Sequence, residues 1–254
     1  MCYDDNARPP LPPDANGTAK GEEFVLQATD GNRFAAYAAQ PEHPTGARVL
    51  IFPDVRGLHQ FYKELALRFA ETGITALAID YFGRTAGLTA RNDAFEFWPH
   101  VQQLSVQTLF SDISAGLAYL RQDGNNAPIF TIGFCLGGSL SLLTATQNFG
   151  QAGAIAFYAG LSRVMTGSTG SVLDEAKNIV CPVLGLFGGA DPGIPASDIE
   201  ALNENLDKAG VEHELITYPN APHSFFDRRA TDYADASTDS WQRVQAFIKA
   251  HNVQ

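Results

Sequence analysis

Cysteine, aspartate and histidine can together carry out acyl transfer, and the 254-residue chain holds one of each in positions suited to it. Cys135 lies in Gly133-Phe134-Cys135-Leu136-Gly137-Gly138, after an apolar strand-like run and before a helix-forming stretch. A strand–turn–helix with the nucleophile at the turn is the setting of a nucleophile elbow. Glycines two residues either side suit the close approach of backbone there. The helix that follows turns its N-terminal amides and positive dipole end toward the sulfur, which favours thiolate over thiol. A small buried cysteine packed between glycines would look the same in sequence. Asp191, in Gly188-Gly189-Ala190-Asp191-Pro192, follows another apolar run, and taken alone it could simply hold a turn. His223, in Pro219-Asn220-Ala221-Pro222-His223-Ser224-Phe225, sits in a loop stiffened by two prolines. In combination, the order Cys, Asp, His beyond three different strands is the chain order of nucleophile, acid and base on α/β scaffolds.

The elements that must position these groups are legible as alternation. Glu23–Thr29 and Arg33–Ala38 flank Asp30-Gly31, a turn pair, and read as an antiparallel hairpin. Apolar runs at Arg48–Pro53, Ile74–Ile79, Pro128–Gly133, Ala152–Tyr158, Cys181–Phe187 and Val211–Tyr218 read as strands. Helical spacing appears from Leu58 to Phe69, ended by Gly73, and from Val106 to Leu120, with further helices at Gly137–Gln147, from Ser197 toward Gly210, and around Trp241–Ile248. Ser197-Asp198-Ile199-Glu200 looks like a capping box. Tyr81–Leu104 is expected to be an irregular excursion with one short helix, and Ser162–Ala176 a surface excursion. The pattern implies an α/β fold, with a mostly parallel central sheet, helices on both faces and an antiparallel N-terminal hairpin. Residues 1–20 are expected to be an extended lead-in and 21–254 a single domain.

At this point the chain resembles the dienelactone hydrolase family of α/β-hydrolases. The resemblance covers most of the chain from about Gly21 and rests on the Gly-x-Cys-x-Gly-Gly elbow, on Phe187–Asp191 and on Pro222-His223-Ser224-Phe225. It implies a Cys135–Asp191–His223 triad and hydrolysis of a lactone or small ester. In Pro53-Asp54-Val55-Arg56-Gly57 it implies that Asp54 contacts the resting thiol, where the better-known family enzyme has glutamate. It also implies oxyanion donation by the backbone N–H groups of Val55 and Leu136. Read from its residues alone, Asp54 could instead cap the next helix or pair with Arg56. Family members that cleave dienelactones hold the substrate carboxylate with arginines, one of them four residues past the catalytic histidine. Here that position is Asp227, so Arg84, Arg91 and Arg228 are the candidate clamps, with Tyr81 and Trp98 as candidate pocket walls.

Composition narrows the rest. The net charge of -11 argues against a nucleic-acid footprint. Three scattered cysteines without a CxxC argue against a disulfide framework or a thiolate zinc site. No metal or organic cofactor is called for by the proposed chemistry. The opening MCYDDNARPPLPP lacks the basic and apolar regions of a signal peptide, so a cytoplasmic protein is expected. Residues 125–162 carry no charge, yet polar residues and glycines interrupt them. They read as two buried strands and a helix, not a membrane span. The expected partner is a small ester or lactone, for a monomer or small homo-oligomer. Competing readings are a broad carboxylesterase, a thiol-redox enzyme and a non-catalytic binding protein.

Overall fold

The computed structural model describes residues 6–13, 15–227 and 229–252. The hairpin forms as expected: β1 (Ala19–Gln27) pairs antiparallel with β2 (Arg33–Pro41). Gly31 takes φ +89° in the loop, and Asp30 Oδ1 accepts the Asn32 N–H at 3.1 Å. Next come β3 (Arg48–Phe52), α1 (Gln60–Glu71), β4 (Thr75–Ile79) and two one-turn helices, α2 (Gly83–Ala86) and α3 (Trp98–Val101). They are followed by α4 (Val106–Leu120), β5 (Ile129–Phe134), α5 (Leu136–Thr144), β6 (Gly153–Phe157) and α6 (Val172–Glu175). The chain closes with β7 (Val183–Gly188), α7 (Ala196–Ala209), β8 (His213–Tyr218) and α8 (Ala234–His251).

The strands form one eight-stranded sheet in the order β1-β2-β4-β3-β5-β6-β7-β8. Its first two pairings are antiparallel and the rest parallel. Every residue of β3, β5, β6 and β7 is buried, as strands covered on both faces must be. Register assigns the faces. Val49 pairs with Phe130 and Leu50 with Thr131. Phe130 meets Phe247 of α8, while Phe69 of α1 meets Trp241 of α8 at 4.8 Å between ring centres. On the opposite face Thr131 bonds Ser141 of α5 at 2.8 Å, and Gly116 lets α4 approach Leu50. The charge-free stretch is thus β5, α5 and β6 in the core. No helix among the described residues is long and apolar enough to cross a membrane.

Several local expectations change. The first strand starts at Ala19, inside the segment expected to be a lead-in, and the arm before it is anchored: Trp241 Nε1–H donates to the Pro10 carbonyl at 2.9 Å. The 81–104 excursion holds two short helices instead of one. α7 begins at Ala196 with Pro195 as its N-cap residue, so Ser197 falls inside the helix and does not cap it. The actual capping box is Ser171 with Asp174, at the start of α6.

Candidate active site

β5 ends at Phe134, and Cys135 turns the chain into α5 with φ +54° and ψ -112°. That conformation is costly for a non-glycine residue and needs surrounding structure to hold it. The two flanking glycines supply the space. A Cβ on Gly133 would lie 1.8 Å from the Gly137 carbonyl oxygen. One on Gly137 would lie 2.1 Å from the Phe52 oxygen and 2.2 Å from that of Pro53. The start of α5 therefore sits directly against the end of β3. The Cys135 N–H donates to the Phe157 carbonyl at 3.0 Å, which fixes the turn to β6 as well. As the first residue of α5, Leu136 has an N–H with no intrahelical acceptor.

The segment after β3 is a hydrogen-bonded turn. Asp54 is fully buried. Its Oδ1 accepts the Arg56 N–H at 2.8 Å, its carbonyl accepts the Gly57 N–H at 3.2 Å, and its own N–H donates to the Tyr62 hydroxyl at 2.9 Å. The Leu58 N–H donates to Asp80 Oδ1 at 3.0 Å. None of these bonds uses the Val55 N–H. Asp54 does not cap α1; His59 does, accepting the Phe61 N–H on Nδ1. The Arg56 guanidinium reaches Asp93 at 2.5 Å.

Asp191 and His223 meet from two loops. The Ala190 N–H donates to the Ala221 carbonyl at 3.0 Å and the Gly189 N–H to that of Tyr218 at 2.8 Å, which ties the loop after β7 to the loop after β8. A Cβ on Gly188 would collide with the carbonyl oxygens of Ala221 and Pro222, so only glycine admits this contact. Asp191 Oδ2 lies 2.6 Å from His223 Nδ1, and Asp191 Oδ1 accepts the Gly193 N–H at 2.8 Å. The carboxylate side chain is 2% exposed while the imidazole is 34% exposed, so the ring has one edge buried on its partner and another toward solvent.

Tyr158, which the sequence did not mark, stands behind the imidazole with ring centres 5.0 Å apart. It is fully buried, has φ +37°, and its hydroxyl donates to Asp227 Oδ2 at 3.4 Å. Cys135, Tyr158 and Ser224 are the described non-glycine residues with positive φ, and all three belong to this end of the sheet. Tyr158 is the first residue after the apolar run of β6, the same place in its strand that Asp80 holds in β4, and that position was the available signal.

The expected substrate contacts fare differently. Arg84 pairs with Asp30 and Asp112, each at 2.8 Å, because Asp112 is buried in α4 and needs a cation. Arg91 is buried against Asp80 at 2.8 Å and lies over the Phe95 ring. Both guanidiniums are therefore engaged by internal carboxylates. Tyr81 is buried, and its hydroxyl donates to the Pro53 carbonyl at 2.5 Å, supporting the turn instead of lining a pocket. Burial, then the nearby Asp54, Asp80 and Cys135, hold the Tyr81 hydroxyl protonated well above the usual phenol range. Trp98 is 54% exposed at the start of α3, with Phe97 as a ring neighbour. Arg228 and Cys2 lie outside the described residues. Cys181 is buried in the core, and burial pushes its thiol up to about 12.

A parallel sheet with an antiparallel leading pair, a cysteine elbow and an Asp–His pair beyond later strands defines an α/β-hydrolase. The family model for the dienelactone hydrolase family matches residues 34–252, and the chain belongs to that family. It is a hydrolase acting on small esters or lactones. A protein of Methylorubrum extorquens named "Putative carboxymethylenebutenolidase" is 30% identical over 94% of this chain and 84% of its own length. The crystal structure of a "Putative Dienelactone Hydrolase" from Klebsiella pneumoniae superposes with a TM-score of 0.78 at 25% identity, covering 91% of this chain and 99% of that one. A dienelactone hydrolase-like promiscuous phosphotriesterase from metagenomic libraries shares the fold, with a TM-score of 0.70 at 24% identity over 91% and 98% of the two chains.

Proposed function

We propose that the protein hydrolyses a small, uncharged ester or lactone through a thioester on Cys135. The observation that carries this reading is the 2.6 Å contact between buried Asp191 and His223, made across 32 residues of sequence. A carboxylate on Nδ1 holds the imidazole in the tautomer whose Nε2 accepts a proton. His223 takes the Cys135 proton, and the thiolate, stabilised by the N-terminus of α5, attacks the carbonyl carbon. Charge develops on the carbonyl oxygen, and the Val55 and Leu136 N–H groups receive it. The tetrahedral species collapses as the imidazolium protonates the departing alkoxide oxygen. His223 then removes a proton from water, whose hydroxide displaces the thiolate and frees the acid. Asp54, buried beside the elbow, tunes the thiol before attack.

The uncharged substrate is favoured by the engagement of Arg84 and Arg91 with internal carboxylates and by the buried carboxyl of Asp227 next to Tyr158. The test compares kcat/KM for p-nitrophenyl acetate and a carboxylate-bearing analogue, in the wild type and in Cys135→Ala and His223→Ala. Activity on the neutral ester that disappears in both variants is expected. A strong preference for the anionic ester would overturn the substrate class, and full activity in Cys135→Ala would overturn the mechanism.

A further inference from the structure

We propose that Arg91 and Asp80 form a positioning pair for the oxyanion side of the site, with Arg91 acting through Asp80 on the Asp54–Leu58 turn and not on the substrate. The inference rests on the thioester reading above and extends it to a residue whose type would suggest a clamp.

Asp80 follows the last residue of β4 and is 1% exposed. Each of its oxygens has two donors. Oδ1 accepts the Leu58 N–H at 3.0 Å and Arg91 Nε–H at 3.1 Å. Oδ2 accepts the Phe82 N–H at 2.9 Å and an Arg91 Nη2–H at 2.8 Å. The carboxylate thus joins the turn that carries Val55 to the start of the 81–104 excursion. The packing is close: Gly57 has φ +74°, and a Cβ there would lie 2.4 Å from Asp80 Oδ1. Any other residue at 57 would push the turn off the carboxylate. Arg91 is fixed in its turn by the Gly87 carbonyl at 2.8 Å, by Thr89 and by the Phe95 ring at 4.5 Å. With both edges of the guanidinium occupied this way, it has little left to offer a substrate.

Charge gives the pair a second effect. A buried carboxylate needs a paired cation. Asp54 and Asp80 hold the same turn, through the Arg56 and Leu58 N–H groups, and the Tyr81 hydroxyl beside it donates to the Pro53 carbonyl; burial, with Asp54, Asp80 and Cys135, raises that hydroxyl well above the usual phenol range. Removing Arg91 would leave Asp80 as an uncompensated anion near the point where the thiolate and then the oxyanion form. Misplacement of an oxyanion donor is expressed in the transition state more than in substrate binding.

The experiment measures p-nitrophenyl acetate hydrolysis and iodoacetamide alkylation of Cys135 in wild type, Arg91→Met and Arg91→Lys. Alkylation forms no oxyanion and is read on its alkaline plateau, where the thiol is ionised throughout. Arg91→Met is expected to lose about 10- to 100-fold in kcat, with KM and the plateau alkylation rate each within about threefold of wild type. Arg91→Lys, which keeps the charge but loses the fork, should recover part of the kcat. If Arg91→Met does not fold, Arg91→Lys alone must show a kcat loss at constant KM. Unchanged kcat in either folded variant overturns the proposal. A KM rise confined to a carboxylate-bearing ester would make Arg91 a clamp, and alkylation falling in parallel with kcat would mean general collapse of the site. A wild type that neither turns over ester nor alkylates at Cys135 would defeat the thioester reading itself.

Discussion

Asp191→Asn is the substitution whose outcome follows most directly from the geometry. The side chain is 2% exposed and both oxygens are engaged, Oδ1 by the Gly193 N–H at 2.8 Å and Oδ2 by His223 Nδ1 at 2.6 Å. Asparagine is nearly isosteric, so the loops after β7 and β8 keep their contacts. Its amide oxygen must remain on the Gly193 N–H, because the reverse orientation would set two N–H donors against each other. The amide NH2 then faces His223 and forces Nδ1 to accept, which moves the ring proton to Nε2. An Nε2–H cannot take the thiol proton. The expected loss in kcat is about 10³- to 10⁴-fold, about 4–5.5 kcal/mol of transition-state stabilisation. Steady-state hydrolysis of p-nitrophenyl acetate gives the rate, and circular dichroism with thermal melting shows that the fold is intact. A correctly folded Asp191→Asn enzyme retaining kcat within tenfold of wild type would refute the assignment of Asp191 as the group that sets the imidazole tautomer.

Arg84→Ala should cost about 1–3 kcal/mol in urea unfolding, since Asp112 loses its cation and is left, among the described residues, with the Asn32 amide. It should leave kcat/KM unchanged for both neutral and carboxylate-bearing esters, and a selective KM rise for the anion would restore Arg84 as a clamp. Burial raises the Cys181 thiol from 9.0 to about 12, so between those values the native chain keeps a proton that the unfolded chain has released. Stability must then fall as pH rises from 9 toward 12, with no contribution from this group below 9. Urea unfolding of Cys181→Ala at pH 8 and pH 10.5 should show a smaller alkaline loss than wild type, and parallel losses would contradict this. Gly133→Ala, which drives a Cβ into the Gly137 carbonyl, should destabilise by about 3 kcal/mol or more and abolish hydrolysis, whereas a stable active variant would show that the elbow is looser than described.

The alternation of apolar runs with helical stripes made the sheet legible, and so did the charge-free stretch through Cys135, because buried parallel strands leave no room for charge. The elbow was legible because glycine is the one residue tolerated where backbone meets backbone. Roles that depend on distant partners were not. Arg84 and Arg91 look like clamps until Asp112 and Asp80 come beside them, and nothing local in sequence announces a partner on another element. Tyr81 read as a pocket wall, yet its hydroxyl serves the Pro53 carbonyl. Tyr158 carries no motif; only its place at the end of β6 and its strained φ set it apart. The pattern at Ser197–Glu200 matched a capping box by type, but the helix begins at Ala196, one residue before Ser197, with Pro195 at its N-cap.

The central claim is a covalent acyl intermediate on Cys135. Rapid acid quench of the enzyme with p-nitrophenyl acetate, followed by intact-protein and peptide mass spectrometry, measures it directly. One hydroxylamine-labile acetyl group is expected on the peptide containing Cys135, formed within the burst of p-nitrophenol release and absent from Cys135→Ala. A burst with no adduct on that peptide, or an adduct on another residue that survives in Cys135→Ala, would contradict it.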